Sequence, residues 1–229
     1  MDRSDPAYRG QADYTPALLR IYDPLVLGPI LRFVWRCPSE RAVALYRNHI
    51  RPRHVDVGPG SGYFIDRSGL PDGSPVTLLD PNPHVLRHAS RRLRRFDVTT
   101  VQADVLKPLP LQRRFASAAL SAVLHCLPGP ASRKAFAIAN VAAVLEPGGV
   151  LFGATVLGRT GDHGWWARRF LTAFNRRGTF DNLDDTEDGL RTMLATSFDH
   201  VEIEVVGSIA IFAAAGPKSG SARPLGVES

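Results

Sequence analysis

Apolar positions along the chain follow two rhythms. Residues 54–57, 76–80, 98–102, 115–124 and 150–157 are short apolar runs bounded by turn residues, and they read as strands. The run 115–124 is nearly all small and apolar, as expected of a central parallel strand buried on both faces. Between the runs the spacing changes to that of a helix. Val85, Leu86, Ala89 and Leu93 form one apolar stripe, and further helices are predicted over 132–145 and 186–197, the latter capped by Asp184-Asp185. Pro147-Gly148-Gly149 ends the first of these. Residues 201–206 and 208–215 read as two strands joined at Gly207.

The ends and one internal stretch depart from this alternation. Residues 1–13 are polar. Thr15-Pro16 is a helix start, followed by Leu18, Leu19 and Tyr22 on one face, and residues 25–35 resume as a second helical piece after Asp23-Pro24. Ser39 is positioned to cap a third helix, with Ala42, Leu45, Tyr46 and His49 on one face. Within 158–183, Gly164-Trp165-Trp166, Phe170, Leu171 and Phe174 predict a short aromatic helix ending near Gly178. Residues 216–229 are rich in Gly, Ser and Pro and are expected to be disordered. The organisation read from the chain is an N-terminal helical segment (1–50), an α/β core (51–215) with a small insertion at 158–183, and a tail.

The chemistry concentrates where the first run ends. Asp56-Val57-Gly58-Pro59-Gly60-Ser61-Gly62 joins a buried strand to a glycine turn, which lets backbone approach a ligand without side-chain obstruction. Asp56 can reach toward a cationic or hydrogen-bonding part of that ligand. The second run ends in Asp80, 22 residues beyond Gly58, about the separation at which a nucleotide-binding α/β unit places a carboxylate on ribose hydroxyls. A helix starting after Gly62 would aim its N–H groups at a ligand carboxylate. A dinucleotide-binding dehydrogenase would carry Gly-x-Gly-x-x-Gly, but residue 63 is Tyr and the third glycine is Gly62.

With Leu79-Asp80-Pro81-Asn82-Pro83, Gln102-Ala103-Asp104-Val105, Val123-Leu124-His125-Cys126-Leu127 and Leu145-Glu146-Pro147-Gly148-Gly149-Val150-Leu151, these residues resemble the class I S-adenosylmethionine-dependent methyltransferases of small-molecule type, over about residues 50–157. The resemblance implies a Rossmann-like doubly wound seven-stranded sheet of order 3-2-1-4-5-7-6 with an antiparallel last strand and an N-terminal helical lid. It implies S-adenosyl-L-methionine as cofactor, held at Asp56, Gly58, Pro59, Gly60 and Gly62. Asp80 would take the ribose hydroxyls and Asp104 the adenine amine, with Pro81, Asn82, Val105 and Ser121 as further cofactor contacts. The family usually begins its fourth strand Phe-Asp, whereas this chain has Ala116 after Phe115. His125, at the carboxyl edge of the sheet, is a candidate general base or pocket wall. Tyr8, Tyr14, Tyr22 and Trp166 are candidate acceptor contacts, each with packing of the helical layer as the alternative.

Composition narrows the partners. A chain of 229 residues with 44% hydrophobic and 22% charged residues suits one soluble domain. No apolar run approaches the ~20 residues a membrane helix needs, and the polar N-terminus has no signal-like hydrophobic region. Cys37 and Cys126 lack metal spacing and are expected to be reduced thiols of a cytoplasmic protein. The net charge of +6 raises nucleic acid. The densest cluster, residues 87–95, places its arginines opposite an apolar stripe, which reads as a solvated helix face. The place after the fourth strand also lacks the Asp/Asn-Pro-Pro-Tyr/Phe motif of adenine amino methyltransferases. The expectation is a methyltransferase acting on oxygen or carbon of a small aromatic or apolar metabolite, with no nucleic-acid or membrane partner and a homodimer as its assembly. A nucleic-acid methyltransferase and a non-catalytic cofactor-binding subunit are the alternatives.

Overall fold

The structure, a computed structural model, describes residues 23–159 and 163–218. Seven strands form one sheet: β1 His54–Val57, β2 Pro75–Leu79, β3 Asp97–Val101, β4 Phe115–Ala119, β5 Leu145–Val156, β6 Phe198–Val206 and β7 Ile209–Pro217. Their order is β3-β2-β1-β4-β5-β7-β6, with β1 to β5 parallel and β7 antiparallel to both β5 and β6. The order reverses between β2 and β4, on either side of β1, so the carboxyl end of β1 is the switch point at which open α/β sheets bind ligands.

Helices cover both faces. On one side α4 (Ala131–Ala142) and α6 (Glu187–Ser197) set Ala137, Ile138, Val141, Leu190 and Leu194 against Val55, Ala118 and Leu151. On the other side lie α1 (Ser39–His49), α2 (Tyr63–Asp66), α3 (Pro83–Arg92) and α5 (Trp165–Arg177). These bury Leu45, Tyr46, Ile65, Ala89, Leu93 and Leu171 with Leu78 and Phe152. Burying such a side chain fully contributes about 1.5–3 kcal/mol. The apolar stripe read at Val85, Leu86, Ala89 and Leu93 is the buried face of α3 and the turn that follows it.

Several boundaries differ from the sequence reading. β4 stops at Ala119 rather than Leu124, because Ala122 turns the chain with a left-handed φ of 60° and Leu124–Cys126 forms a 3-10 turn. β5 begins at Leu145. Its register with β4 jumps from Phe115↔Leu145 to Ser117↔Val150, so Pro147-Gly148-Gly149 forms a bulge inside the strand. Ser39 is the first helical residue of α1 and makes no capping bond, because Pro38 occupies the cap position. α6 is capped by the Thr186 hydroxyl, which accepts from the Gly189 N–H, and not by Asp184-Asp185. The aromatic helix α5 ends at Gly178 in the left-handed conformation, as its sequence predicted.

The N-terminal segment is partly integral to the core. A helical segment at Asp23–Val34, wound more widely than an α-helix, precedes α1. α1 itself packs Tyr46 edge-on to Phe152 of β5 at 5.0 Å between ring centroids. Among the described residues of this segment, α1 therefore packs on the sheet. The helix start at Thr15-Pro16 and residues 219–229 of the tail lie outside the described residues, while Gly216 and Pro217 complete β7.

Candidate cofactor and acceptor site

The carboxyl ends of β1, β2 and β4 open into one cleft. Its first wall is the loop after β1. Gly58 and Gly62 N–H groups donate to Leu79 and Pro59 carbonyls, both at 2.8 Å. Gly58, Gly60 and Gly62 take left-handed φ values of 68°, 55° and 76°. Gly58, Pro59 and Gly60 line the cleft, but Gly62 does not. A Cβ at residue 62 would lie 3.2 Å from Leu93, so this glycine serves close packing of the loop on α3. The helix expected after Gly62 is a single turn, α2, because Ser68-Gly69-Leu70-Pro71 diverts the chain, with Gly69 at φ 83°.

Asp80 follows β2 and is buried in the second wall. Its Oδ1 accepts the Asn82 N–H at 2.7 Å. Burial pushes its carboxyl up to about 7, opposed by the Asn82 bond and reinforced by the charge of Asp56. Asn82 Oδ1 in turn accepts the His84 N–H at 2.9 Å and caps α3. Asp104 closes the third wall and turns the chain by accepting the Leu106 N–H at 3.0 Å. Asp80, Pro81, Asn82, Asp104, Val105 and Ser121 all line the cleft.

Asp56 does not. It lies beneath the cleft, 1% exposed, with Tyr46 laid across it. The Tyr46 hydroxyl donates to Asp56 Oδ2 at 2.8 Å, and His54 Nε2 stands 3.5 Å from the same oxygen. His54 Nδ1 is 2.9 Å from Ser117 Oγ, which also accepts the Arg51 N–H. Asp56 Oδ1 is buried and has no hydrogen-bond partner among the described residues, and the buried Ser121 hydroxyl lies beside that of Tyr46. A buried acceptor without a partner, beside a glycine cradle and two carboxylates, fits a ligand with cationic and hydroxyl donors.

The fourth wall was not read from the sequence as a site. Tyr46, Tyr63 and Phe64 flank the glycine loop, and Val123, Cys126, Leu127 and Pro128 form an apolar ledge after β4. Burial pushes the Cys126 thiol up to about 12, so it stays neutral.

His125 is a correction to the sequence reading. It does not line the cleft. Its Nδ1 accepts the Val156 N–H at 3.2 Å and lies 3.2 Å from Thr155 Oγ1, and its ring packs edge-on to Phe180 at 4.4 Å. Burial first, and the Lys134 charge second, lower it to about 3. A ring so committed holds β4 to β5. Trp166 is also displaced from the site: it is 57% exposed on α5, 4.4 Å from Trp165 between centroids. Tyr8, Tyr14 and Tyr22 lie outside the described residues.

Residues 55–149 match a family model described as a methyltransferase domain. The chain is 40% identical over 210 residues to the demethylluteothin O-methyltransferase of Streptomyces thioluteus, covering 90% of each chain. It is 35% identical over 224 residues to the physcion biosynthesis cluster O-methyltransferase of Aspergillus chevalieri, covering 95% of this chain and all of that one. The fold is shared with the N-methyltransferase NodS from Bradyrhizobium japonicum in complex with S-adenosyl-L-homocysteine, at a TM-score of 0.58 and 18% identity, over 78% of this chain and 87% of that one. No helix among the described residues is long and apolar enough to cross a membrane. With a cleft that fits such a cofactor and relatives alike over nearly the whole chain, the protein belongs to the S-adenosylmethionine-dependent methyltransferases and takes its methyl group from that cofactor.

Proposed function

We propose that this enzyme methylates an oxygen of a small, apolar or aromatic metabolite bearing an acidic hydroxyl, an enol or a phenol, with an enol carbon as the second acceptor atom. The observation that carries the reading is the ledge of Val123, Cys126, Leu127 and Pro128, which faces the same cleft as the glycine loop and the two carboxylates. In this reading Asp80 holds the ribose hydroxyls, Asp104 the adenine amine, and the loop from Gly58 to Gly60 the amino-acid end with Ser121. The bound sulfonium supplies an activated methyl group for in-line displacement. The chain's own residues bind, orient and exclude water. Among the described residues the ledge offers no side chain that takes a proton near neutral pH, since Cys126 stays protonated and His125 lies outside the cleft. In this reading the acceptor supplies its own acidity, and its proton passes to solvent.

The names of the two curated relatives support oxygen as the acceptor atom and secondary metabolites as the substrate class. The N-terminal segment closing over the acceptor, a cytoplasmic location and a homodimer complete the proposal. The test is a panel of phenols, enolic pyrones and polyketide-like acids incubated with S-adenosylmethionine and read by mass spectrometry. A gain of one methyl group on an oxygen is expected. Transfer only to amines, or binding of S-adenosylhomocysteine without turnover of any acceptor class, would overturn it. Deleting residues 1–22 should abolish turnover and spare cofactor binding. Full activity of the truncated protein would remove the lid from the proposal.

A further inference from the structure

α5 carries charges and aromatics that the methyltransferase site does not use. Its inner face, Ala167 and Leu171 with Phe170 and Phe174, packs on the core. Its outer face presents Trp165 at 61% and Trp166 at 57% exposure, followed by Arg168, Arg169, Arg176 and Arg177, with no acidic residue in the helix. The Arg169 guanidinium sits 5.2 Å from the Trp165 ring centroid. The helical segment Asp23–Val34, against which α5 packs, adds Phe33 at 70% exposure. Two adjacent indoles left in water beside four cations are unusual on a monomeric soluble surface.

We propose that the outer face of α5 docks on an anionic lipid surface, with Trp165 and Trp166 at the headgroup level and the arginines on lipid phosphates and carboxylates. Indole rings favour the membrane–water interface, where the apolar ring is shielded and the N–H stays wet. Arginines near an anionic leaflet add an attraction that salt screens. The chain lies on the membrane in this arrangement and does not span it. A second copy of the same face is disfavoured by its uniform positive charge. An acidic protein is the rival, but it would engage the arginines and leave the paired exposed indoles, which suit a membrane–water interface, unaccounted for. The proposal stands apart from the choice of methyl acceptor.

The test is co-sedimentation of the full chain with vesicles of phosphatidylcholine alone and of phosphatidylcholine with phosphatidylserine, at low and high salt. Tryptophan emission is followed in parallel. Trp35 is buried, so a blue shift on adding vesicles reports Trp165 and Trp166. Pelleting and a blue shift with phosphatidylserine vesicles at low salt, both reversed by salt, are expected. Replacing Arg168, Arg169, Arg176 and Arg177 with Gln should lower the partition at least about tenfold. Replacing the exposed Arg87, Arg91, Arg94 and Arg113 with Gln removes the same charge elsewhere and should leave most of the partition. Trp165→Ser with Trp166→Ser should abolish the shift. All eight arginines and both tryptophans are exposed, so circular dichroism should report an unchanged fold. The proposal falls if anionic vesicles fail to pellet the protein, if phosphatidylcholine alone pellets it as well, or if the two arginine variants behave alike. Binding to polyglutamate without binding to vesicles would assign the face to an acidic protein and overturn it equally.

Discussion

The Tyr46 hydroxyl donates to Asp56 Oδ2 at 2.8 Å, linking a helix that precedes the sheet to the acid at the heart of the glycine-loop motif. Burial and the Asp56 charge push the phenol well above its ordinary value, so it stays protonated and remains a donor. The acid is thereby held under the cleft, with its second oxygen left for a ligand or water.

Removing that donor should be felt in both stability and binding. Tyr46→Phe keeps the ring stacked on Phe64 and edge-on to Phe152, but leaves a buried carboxylate oxygen with only His54 at 3.5 Å. A loss of about 1–3 kcal/mol in urea unfolding is expected, since an unpaired buried acceptor loses its compensation for desolvation. Isothermal titration with S-adenosylhomocysteine should show weaker binding, because Tyr46 lines the cleft. A variant matching the parent in both measurements would show that Asp56 is already satisfied by water.

Asp80 gives a pH signature. Its carboxyl stands at about 7 in the folded chain against an ordinary 3.8. A raised folded value means the native state holds the proton more tightly, so this contribution to stability is fully present below about pH 4 and lost as pH rises through about 7. Asp80→Asn removes the titration, and the ligand-free variant should exceed the parent in stability at about pH 8 by up to roughly 4 kcal/mol. Cofactor affinity should run the other way. If Asp80 holds the ribose as proposed, its hydroxyls donate to the ionised carboxylate, so the parent should bind S-adenosylhomocysteine more tightly at about pH 8 than at about pH 6, and the variant should bind weakly at both. A parent–variant stability difference that ignores pH would refute the titration.

Two glycines of one loop should respond differently to alanine. Both positions are left-handed, which disfavours any Cβ by about 1–2 kcal/mol. At residue 58 that Cβ would also lie 2.6 Å from Val123 Cγ2, displacing the acceptor ledge. At residue 60 it would meet nothing within 4 Å, though Gly60 lines the cleft. Gly58→Ala should therefore cost about 1–3 kcal/mol more in stability, from overpacking. Gly60→Ala should fold well and lose cofactor affinity. Equal thermal midpoints for the two variants would contradict the packing difference.

The sheet was legible because each apolar run is separated from the next by a helical stripe or a Gly/Pro turn, and Gly207 marks the closing hairpin. The cleft walls were legible because Gly58, Gly60, Asp80 and Asp104, which line the cleft, stand at strand ends. What failed did so where tertiary context outvotes local type. Ala122 gives no warning of its left-handed turn, so the apolar run predicts a longer β4 than the fold contains and sets His125 at an open edge, whereas it lies behind that edge. Gly62 and Asp56 belong to the loop motif, yet they face the protein: one packs on Leu93 and the other lies under Tyr46. Tyr46 reads as one more apolar helix position, and only its neighbours across the fold show its hydroxyl at work.

The same burial logic makes Lys134 the most exacting test of how the ledge is held. Its ammonium, 1% exposed, lies 2.6 Å and 2.8 Å from the Asp185 oxygens and 2.6 Å from the Asp181 carbonyl. Asp181 Oδ2 accepts the Gly129 N–H at 2.8 Å, and the Asp181 N–H donates to the His125 carbonyl at 2.9 Å. The stretch from Asp181 to Asp185 thus clamps residues 125–129, which include Cys126, Leu127 and Pro128 of the ledge. Burial raises Asp185, and Lys134 opposes that rise. Lys134→Met leaves the acid buried without its cation, and a loss of about 3–5 kcal/mol is expected. Lys134→Met with Asp185→Leu removes both charges and should recover a large part of it. If the clamp positions the ledge, the double variant should still show a raised KM for the acceptor, with S-adenosylhomocysteine affinity little changed. Recovery of stability together with an unaltered KM would mean that Lys134 and Asp185 hold the fold and leave the acceptor wall to Val123, Leu127 and Pro128 themselves.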